Sequence, residues 1–186
     1  MIPLRNGQKL TVGFSILVKD ETDLLEQMLE SLKPCWHLFD EKRAGWTGTN
    51  PQTKEILERY GLTIQPVEWK WQHADARQEV YDQMTTDVVF WLDSDDTLTM
   101  AGDFASVVSQ AFSDPNVGAL WLDYLYRFDT NGLCVMKMKR ERVVRRTWYK
   151  WVGALHENLL CDGMWHKTAH DARAVPMVVK HHATEE

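Results

Sequence analysis

The stretch VVFWLDSDDTL (residues 88–98) joins five apolar residues to three aspartates within four positions. A short, continuous apolar run of this kind is typical of a strand that is buried on both faces of a sheet. Ligands of open α/β sheets bind at the carboxyl ends of the strands, and the aspartates follow at this end. The stretch therefore predicts a parallel sheet with an acidic site at its edge.

Strand-like and helix-like segments alternate along the part of the chain that precedes this stretch. The first helix begins at Thr22 or Asp23, where Asp23 and Glu26 have capping-box spacing, and Pro34 stops it. This β-α-β-α-β-α-β order predicts a mainly parallel sheet with helices on its faces. The other predicted segments are strands at 11–21, 35–42 and 62–69, a loop at 43–52, and helices at 53–61 and 73–84.

The second half of the chain has a different pattern. After a helix predicted at 104–112, residues 116–129 alternate between apolar and polar side chains, as in a strand with one buried face. Asn131-Gly132 then predicts a tight turn into a second, antiparallel strand at 133–146. The predicted fold class is therefore α/β, with a mixed, mainly parallel sheet flanked by helices and an antiparallel hairpin in its second half.

Composition limits the kind of protein that this sequence encodes. With 186 residues and 44% hydrophobic content, we expect one domain over residues 1–186. Three cysteines without a C-x-x-C pair are typical of reduced thiols in a cytoplasmic protein, and we find no signal peptide or membrane span. A net charge of −6 argues against general nucleic-acid binding.

The aspartates at 93–96 are candidates for a metal site. Residues i and i+2 of an extended chain point the same way, so we expect Asp93 and Asp95 to converge on one ion. Asp96 is expected to point elsewhere and to cap the following turn. Hard oxygen ligands suit Mg²⁺ or Mn²⁺, which keep open positions for phosphates. The alternative is an acidic turn that holds no ion.

Arg77 is a second candidate, because it lies on the apolar face of its predicted helix near the amino-terminal end. A guanidinium at that position requires an anion. Asp75 or another carboxylate could supply it. A ligand phosphate would fit equally well, since it matches both the guanidinium fork and the helix dipole.

Several sequence blocks, in order, resemble family 2 glycosyltransferases of the GT-A fold. These blocks are FSILVKDETDLLEQMLESLKP, TGTNPQTKEILERYG, EWKWQHADARQEV, VVFWLDSDDTL, WVGALHENL and VVKHH. The resemblance covers most of the chain. It implies transfer of a sugar from a nucleotide-sugar donor, with inversion, in the presence of Mn²⁺ or Mg²⁺. Residues 1–100 would form the donor-binding half, and residues 101–186 would complete the metal and acceptor sites.

The resemblance also implies roles for individual residues. Asp93, Ser94 and Asp95 match the D-x-D motif that holds the metal on the donor diphosphate, with Asp95 the more direct ligand. Arg77 matches an arginine that contacts the nucleotide. The loop from Val18 through Asp20 to Glu21 would cradle the base and ribose.

Residues of the last two blocks would complete the site. Glu157, in the pair His156-Glu157, would act as the base on the acceptor side, or the pair could be only structural. His181 or His182 would be a metal ligand, and the sequence does not choose between the two rings. The basic stretch 137–146 is expected to be mostly a solvated sheet face, with one or two arginines at the diphosphate or acceptor. Trp148, Trp151 and Trp165 are expected to pack in the core or to stack on a sugar.

The sequence departs from the family pattern after the second strand. Trp46 stands where the family has a carboxylate that reads the nucleobase, and Asn50-Pro51 replaces the centre of the following motif. Either Asp40 ends the strand early, or Trp46 stacks on the base. A UDP-sugar remains the expected donor, with the base uncertain and the acceptor unknown.

Two other functions remain open at this point. A nucleotidyltransferase also uses paired aspartates, but the loop after the first strand lacks the glycine such enzymes usually carry. A non-catalytic nucleotide- or sugar-binding module of the same fold is the other. Because the chain stops soon after its late histidines, part of the acceptor site could come from a partner subunit, a homo-oligomer or residues missing from a truncated chain.

Overall fold

The computed structural model describes residues 1–153, 157–161 and 170–182, without the side chains of residues 170 and 173–176. The first half alternates strands and helices as the sequence predicts. Its elements are β1 (Ile2–Pro3), β2 (Lys9–Leu10), β3 (Val12–Val18), α1 (Asp23–Ser31), β4 (Glu41–Trp46), α2 (Pro51–Arg59), β5 (Thr63–Pro66), α3 (His73–Asp82) and β6 (Val88–Asp93).

The second half contains the predicted helix and hairpin, followed by further strands. Its elements are β7 (Asp96–Thr99), α4 (Phe104–Phe112), β8 (Val117–Phe128), β9 (Cys134–Arg145), β10 (Tyr149–Val152), β11 (Asn158–Cys161) and β12 (His170–His181). Gly132 adopts a positive φ of 79° in the turn between β8 and β9, which explains the Asn-Gly signal there. The mixed α/β fold with an antiparallel hairpin is therefore confirmed.

In the described part of the chain, the main sheet has the strand order β5-β4-β3-β6-β9-β8-β12-β7. Strands β3 to β6 pair in parallel, and β9 runs antiparallel to both β6 and β8. Only Ser94 and Asp95 separate β6 from β7, although β7 is the last strand in this order. The sheet must therefore curl, which brings β12 and β7 beside the carboxyl end of β6.

The predicted strand at 35–42 is wrong, because residues 33–38 form a 3-10 turn and β4 begins only at Glu41. The rings of Trp36 and Phe39 pack against Phe14, with ring centres 5.5 Å away in each case. These aromatic side chains therefore pack in the core from a 3-10 turn and do not form a strand. The strand continues through residues that the sequence predicts as loop, because Gly45 allows close packing: an added Cβ would lie 2.4 Å from Val80.

The helices lie close to their predicted positions, with two differences in detail. α1 begins at Asp23, but no side chain caps its amino-terminal end, so the predicted capping box is absent. α2 begins two residues earlier than predicted, because the Asn50 side chain accepts a hydrogen bond from the Gln52 amide and Pro51 is the first helical residue. Within the described ranges, no helix has the length and apolarity needed to span a bilayer.

Candidate active site

A cleft of about 890 Å³ opens at the carboxyl end of the parallel strands. One wall comes from the ends of β3 and β4 and from the start of α3. The other wall comes from the β6–β7 connection, from β8, β9 and β12, and from Glu157. The site predicted at the sheet edge therefore lies in a cleft large enough for a small-molecule ligand.

Asp93 is the last residue of β6, and its carboxylate pairs with two arginines. It forms an ion pair with Arg77, and its other oxygen lies 3.6 Å from Nη1 of Arg142. Burial raises the pKa of Asp93, but the guanidiniums of Arg77 and Arg142 outweigh that effect and hold the pKa at about 2. Asp93 is therefore an anion that anchors two cations, and its convergence with Asp95 on one ion stays a prediction.

The group with metal-ligand geometry consists of Asp95, Asp96 and His181, whose ligand atoms all lie within 4.8 Å of one another. Asp96 was expected to point away from the site. Instead it is fully buried, and its Oδ1 lies 3.3 Å from Nδ1 of His181, while Oδ1 of Asp95 lies 3.5 Å from the same nitrogen. Asp96 takes the place that the sequence analysis gave to Asp93.

In the free protein, cationic side chains already lie against the carboxylates of this group. Burial raises the pKa of Asp96 by more than Arg142 lowers it. Hydrogen bonds to Asp95 and Asp96 raise the pKa of His181 to about 10, so the ring carries a positive charge between the two carboxylates. Two carboxylates this close to each other require a cation, and the imidazolium supplies one in the free protein.

The two late histidines have different surroundings. His181 lines the cleft and stacks on the Tyr126 ring at 5.0 Å. The His182 ring instead bonds the Thr97 hydroxyl at 2.8 Å and is not among the residues that line the cleft, while burial lowers its pKa. The structure therefore favours His181 as the possible ligand and gives His182 a structural contact.

Arg77 and Glu157 meet in the cleft. Nε of Arg77 donates to Oε1 of Glu157 at 3.0 Å, while the same guanidinium holds Asp93. The arginine is only 8% exposed and was expected on this face of α3. Its anion is thus a pair of carboxylates, Asp93 and Glu157, and not Asp75. Glu157, the candidate base, lines the same cleft as the β3–α1 loop.

Two arginines of β9 belong to the site, and the sequence did not single out either of them. Arg140 lines the cleft, and its Nη2 lies 3.3 Å from the Glu157 carbonyl oxygen. Arg142 is fully buried and holds Oδ2 of Asp96 at 2.9 Å. Their spacing of two residues puts both side chains on one face of β9, which is the signal that the sequence offered.

Val18 at the end of β3 and Lys19 and Glu21 of the β3–α1 loop line the cleft. Asp20 has another role, because its carboxylate accepts the amides of Thr49 at 2.7 Å and Asn50 at 2.6 Å. These hydrogen bonds lower the pKa of Asp20. The structure thus uses Asp20 to hold the β4–α2 loop against this one, and it leaves Ser94 in the cleft lining beside Asp93.

Neither of the two predicted substitutes for a base-reading carboxylate is among the residues that line the cleft. Asp40 precedes β4 and does not end it; its carboxylate accepts the Val12 amide at 2.9 Å and binds the Met1 amino group at 2.7 Å. It lies at the amino-terminal ends of the parallel strands, whereas the cleft lies at their carboxyl ends. The prediction that Asp40 binds the donor is therefore corrected. Trp46 ends β4, packs against the main core and donates to the Lys19 carbonyl at 2.8 Å. Thr47, the next residue, lines the cleft instead.

The three tryptophans predicted to pack in the core or to stack on a sugar do not share one environment. Trp151 is buried and packs against Trp91, with ring centres 4.7 Å apart. Trp148 lies near Arg145, whose guanidinium carbon is 5.1 Å from its ring. Trp165 and His156 fall outside the described residues.

Three solved structures share this fold at low sequence identity. S. aureus TarS 1-349 in complex with UDP-GlcNAc has a TM-score of 0.60 and 14% identity, over 95% of this chain and 60% of that one. Glucosyl-3-phosphoglycerate synthase from Mycobacterium tuberculosis, in complex with Mn²⁺, UDP and phosphoglyceric acid, has a TM-score of 0.54 and 16% identity, over 75% and 57%. The mannosyltransferase PcManGT from Pyrobaculum calidifontis, in complex with GDP-Man and Mn²⁺, has a TM-score of 0.51 and 19% identity, over 64% and 36%.

The chain therefore spans between 36% and 60% of the length of these three structures. A comparison with curated proteins finds no match. The model of glycosyl transferase family 2 matches residues 16–169, which include the β3–α1 loop, the acidic group at the end of β6 and Glu157. On this match over most of its length, the chain belongs to glycosyl transferase family 2.

Proposed function

We propose that the protein is a metal-dependent, inverting glycosyltransferase that moves a sugar from a nucleotide-sugar to an acceptor hydroxyl. The observation that carries the proposal is the meeting of two groups in one cleft of a family 2 domain. Asp95 and His181 line the cleft and form the possible metal site with the buried Asp96 beside them, and Arg77 and Glu157 form the second group. The first group suits a metal ion that would hold a diphosphate. The second group suits an acceptor hydroxyl that loses a proton.

The first group fits Mn²⁺ or Mg²⁺. Two carboxylates offer hard oxygen atoms and His181 offers an imidazole nitrogen, a combination that suits manganese in particular. When bound there, the ion would offset negative charge on a diphosphate leaving group. Protonated His181 would have to lose its proton to become a ligand, because a metal-bound imidazole is neutral.

The remaining charged groups of the cleft have roles that do not depend on the ion. Arg140 lines the cleft and contacts the Glu157 carbonyl oxygen, and its positive charge would stabilise a departing diphosphate. Glu157 would accept the proton of the attacking hydroxyl, as inversion requires a base on the face opposite to the leaving group. The ion pair with Arg77 fixes the carboxylate at the cleft wall.

A uridine diphosphate sugar is the proposed donor. UDP occupies the synthase structure and UDP-GlcNAc the TarS structure, whereas PcManGT holds GDP-Man. In this chain Thr47, Trp69 and His73 line the end of the cleft nearest to β3 and β4. Their aromatic and hydroxyl groups are suited to a nucleoside, although β4 ends without a base-reading carboxylate.

Donor turnover tests the proposal directly. The protein is incubated with a panel of UDP- and GDP-sugars and Mn²⁺, with and without simple sugar acceptors, and released nucleoside diphosphate is measured. We expect release with at least one donor, and its loss in Asp95→Asn. Asp123→Asn is the matched control, because Asp123 pairs with Lys137 and Lys139 on the hairpin and is not among the lining residues.

The rival function is a binding module that holds a nucleotide without turnover. Trp46 favours it, since this partly buried side chain packs against the core at the position where the family resemblance implies a base-reading carboxylate. Saturable, Mn²⁺-dependent nucleotide binding without release from any donor would support the module and overturn the enzyme. Release that is equal in wild type and Asp95→Asn would remove the site from the proposal.

A further inference from the structure

Trp91 lies against three guanidinium groups at once. It is two residues before Asp93 on β6, and its side chain is buried. The guanidinium carbons of Arg142, Arg77 and Arg140 lie 4.1, 5.2 and 5.2 Å from the centre of its ring. Cation–π contacts of this kind are stronger when water is excluded. A single indole ring is therefore the common neighbour of three cations.

Each of these cations also contacts a residue of the proposed site, and Glu157 is contacted by two of them. Arg142 holds the Asp96 carboxylate, and Arg77 holds both Asp93 and the Glu157 carboxylate. Arg140 contacts the main chain of Glu157. Through these arginines, the ring of Trp91 is linked both to the possible metal ligand Asp96 and to the candidate base Glu157.

Contacts with aromatic rings do more than hydrogen bonds to orient Arg142. Its Nε, Nη1 and Nη2 are buried and make no well-formed hydrogen bond within the described residues, although Nη2 lies 2.9 Å from Asp96. The distance is that of an ion pair, but the angle is not that of a hydrogen bond. Its guanidinium carbon lies 4.1 Å from the centre of the Trp91 ring and 4.5 Å from that of the Tyr124 ring. Contact with two rings therefore acts together with the ion pairs to Asp96 and Asp93 to orient it.

The Trp91 ring is itself held in place. Its indole N–H donates to the Glu141 carbonyl at 2.7 Å, between the two arginines of β9. The Trp151 ring packs edge-on against it, and Arg77 lies 5.1 Å from that ring as well. A ring fixed on two sides can hold flexible arginine side chains in one arrangement.

We propose that Trp91 is a positioning residue for the sugar transfer. Its ring holds Arg142 and Arg77 so that Asp96, Asp93 and Glu157 keep the relative positions that the reaction requires. Trp91 is not among the residues that line the cleft, so it acts through the arginines and not on the substrate. The inference rests on the proposed function and adds to it a residue outside the family's acidic motif.

Two substitutions of Trp91 separate the ring face from the rest of the side chain. Trp91→Leu removes the ring, whereas Trp91→Phe keeps an aromatic face, and both lose the hydrogen bond to Glu141. We expect both to lower the melting temperature. Donor turnover per folded protein should fall at least about tenfold in Trp91→Leu and stay within about threefold of wild type in Trp91→Phe.

Trp36 supplies a matched control. Its indole N–H also donates to a main-chain carbonyl, that of Tyr60 at 3.2 Å, and Lys42 lies 5.4 Å from its ring. It packs against the main core and not against the arginines of the cleft. Trp36→Leu and Trp36→Phe should lower the melting temperature and leave turnover per folded protein within about twofold of wild type.

A double-mutant cycle gives a readout that does not need turnover. We expect Trp91→Leu and Arg142→Met to be non-additive in the free energy of unfolding, because the second change loses less once the ring is gone. Additive effects would overturn the inference at any level of activity. Equal turnover in Trp91→Leu and wild type, or Phe and Leu variants equally impaired, would also overturn it while leaving the proposed function intact.

Failure of the proposed function has a different signature. It would appear as absence of donor turnover in the wild type itself, and the positioning role would fall with it. A non-additive cycle in that case would show that the ring still holds the arginine in a protein that is not this enzyme.

Discussion

Asp96 and His181 are paired across neighbouring strands, and Oδ1 of the aspartate lies 3.3 Å from Nδ1 of the histidine. The two residues are 85 positions apart in sequence. They meet because β12 pairs antiparallel with β7, directly after the turn that carries Asp95. The curled sheet therefore assembles the possible metal site from β12 and β7, the last two strands of its order, and from the connection that joins β7 to β6.

The first prediction concerns the two adjacent histidines. His181→Asn should weaken Mn²⁺ binding about 10–100-fold, because it removes the ring that faces Asp95 and Asp96. His182→Asn should leave Mn²⁺ affinity within about threefold, since that ring bonds Thr97. Calorimetric titration of the free protein with Mn²⁺ compares the two variants. Equal losses would contradict the assignment of His181.

The second prediction concerns the buried pair of Arg142 and Asp96, both of which are fully buried. Arg142→Met should lower the free energy of unfolding by about 3–5 kcal/mol, because it leaves a buried carboxylate without its guanidinium. Denaturant unfolding followed by circular dichroism measures the change.

Arg127→Met is the control for this substitution, since Arg127 is an exposed residue of β8. It should change the free energy of unfolding by less than about 0.5 kcal/mol. A similarly small loss in Arg142→Met would mean that the pair is not buried as described.

The third prediction concerns Gly48, in the loop that Asp20 holds. A Cβ at this position would lie 2.0 Å from the Lys19 carbonyl oxygen and 2.2 Å from the Asp20 carboxylate. Gly48→Ala must therefore separate the two loops, at a cost of about 1–3 kcal/mol of stability, and should weaken nucleotide binding.

Gly102→Ala is the matched control, because no atom lies within 4 Å of its added Cβ. It should leave both stability and binding close to wild type. Thermal unfolding and nucleotide titration measure the two effects. Normal nucleotide affinity in Gly48→Ala would show that the loop junction does not shape the donor site.

The fourth prediction concerns the pH dependence of stability. Burial raises the pKa of Glu41, but hydrogen bonds from the Thr85 amide at 2.8 Å and from Arg43 outweigh it and leave the pKa lowered. A carboxylate with a lowered folded-state pKa stabilises the fold above its unfolded pKa of about 4.3 and loses that contribution as pH falls further.

Glu41→Gln should therefore cost about 1–2 kcal/mol at pH 7 and progressively less below about pH 4. Urea unfolding of both proteins across this pH range measures the difference. A difference that grows as the pH falls would contradict the sign of the pKa change.

Much of this fold could be predicted from sequence, because strong local patterns match the tertiary environment. β3, β6 and α4 are apolar segments with clear ends, and the Asn-Gly turn defines the hairpin. β4 could not be predicted, since its small and polar residues form a strand only because neighbouring strands and α3 pack on them. The aromatic residues before it, which have the stronger strand propensity, fill the core from a 3-10 turn.

The residues of the site differ in the same way in how far they could be predicted from local sequence. The acidic cluster, Arg77, Glu157 and a late histidine follow from local motifs and from the resemblance to a family. The burial of Asp96 depends on β12, which joins the sheet from the far end of the chain, so local spacing assigned its role to Asp93. Arg142 could not be separated from the other basic residues of β9, because only the register with β6 and β8 shows which of them are buried.

The most direct test is a crystal structure of the protein soaked with Mn²⁺ and UDP, with anomalous scattering used to locate the manganese. The account predicts an anomalous peak bonded to Asp95, Asp96 and His181, with the diphosphate on its open side next to Arg140. A peak elsewhere would contradict it. Bound nucleotide with His181 still paired to Asp95 and Asp96, and no manganese among them, would also contradict it.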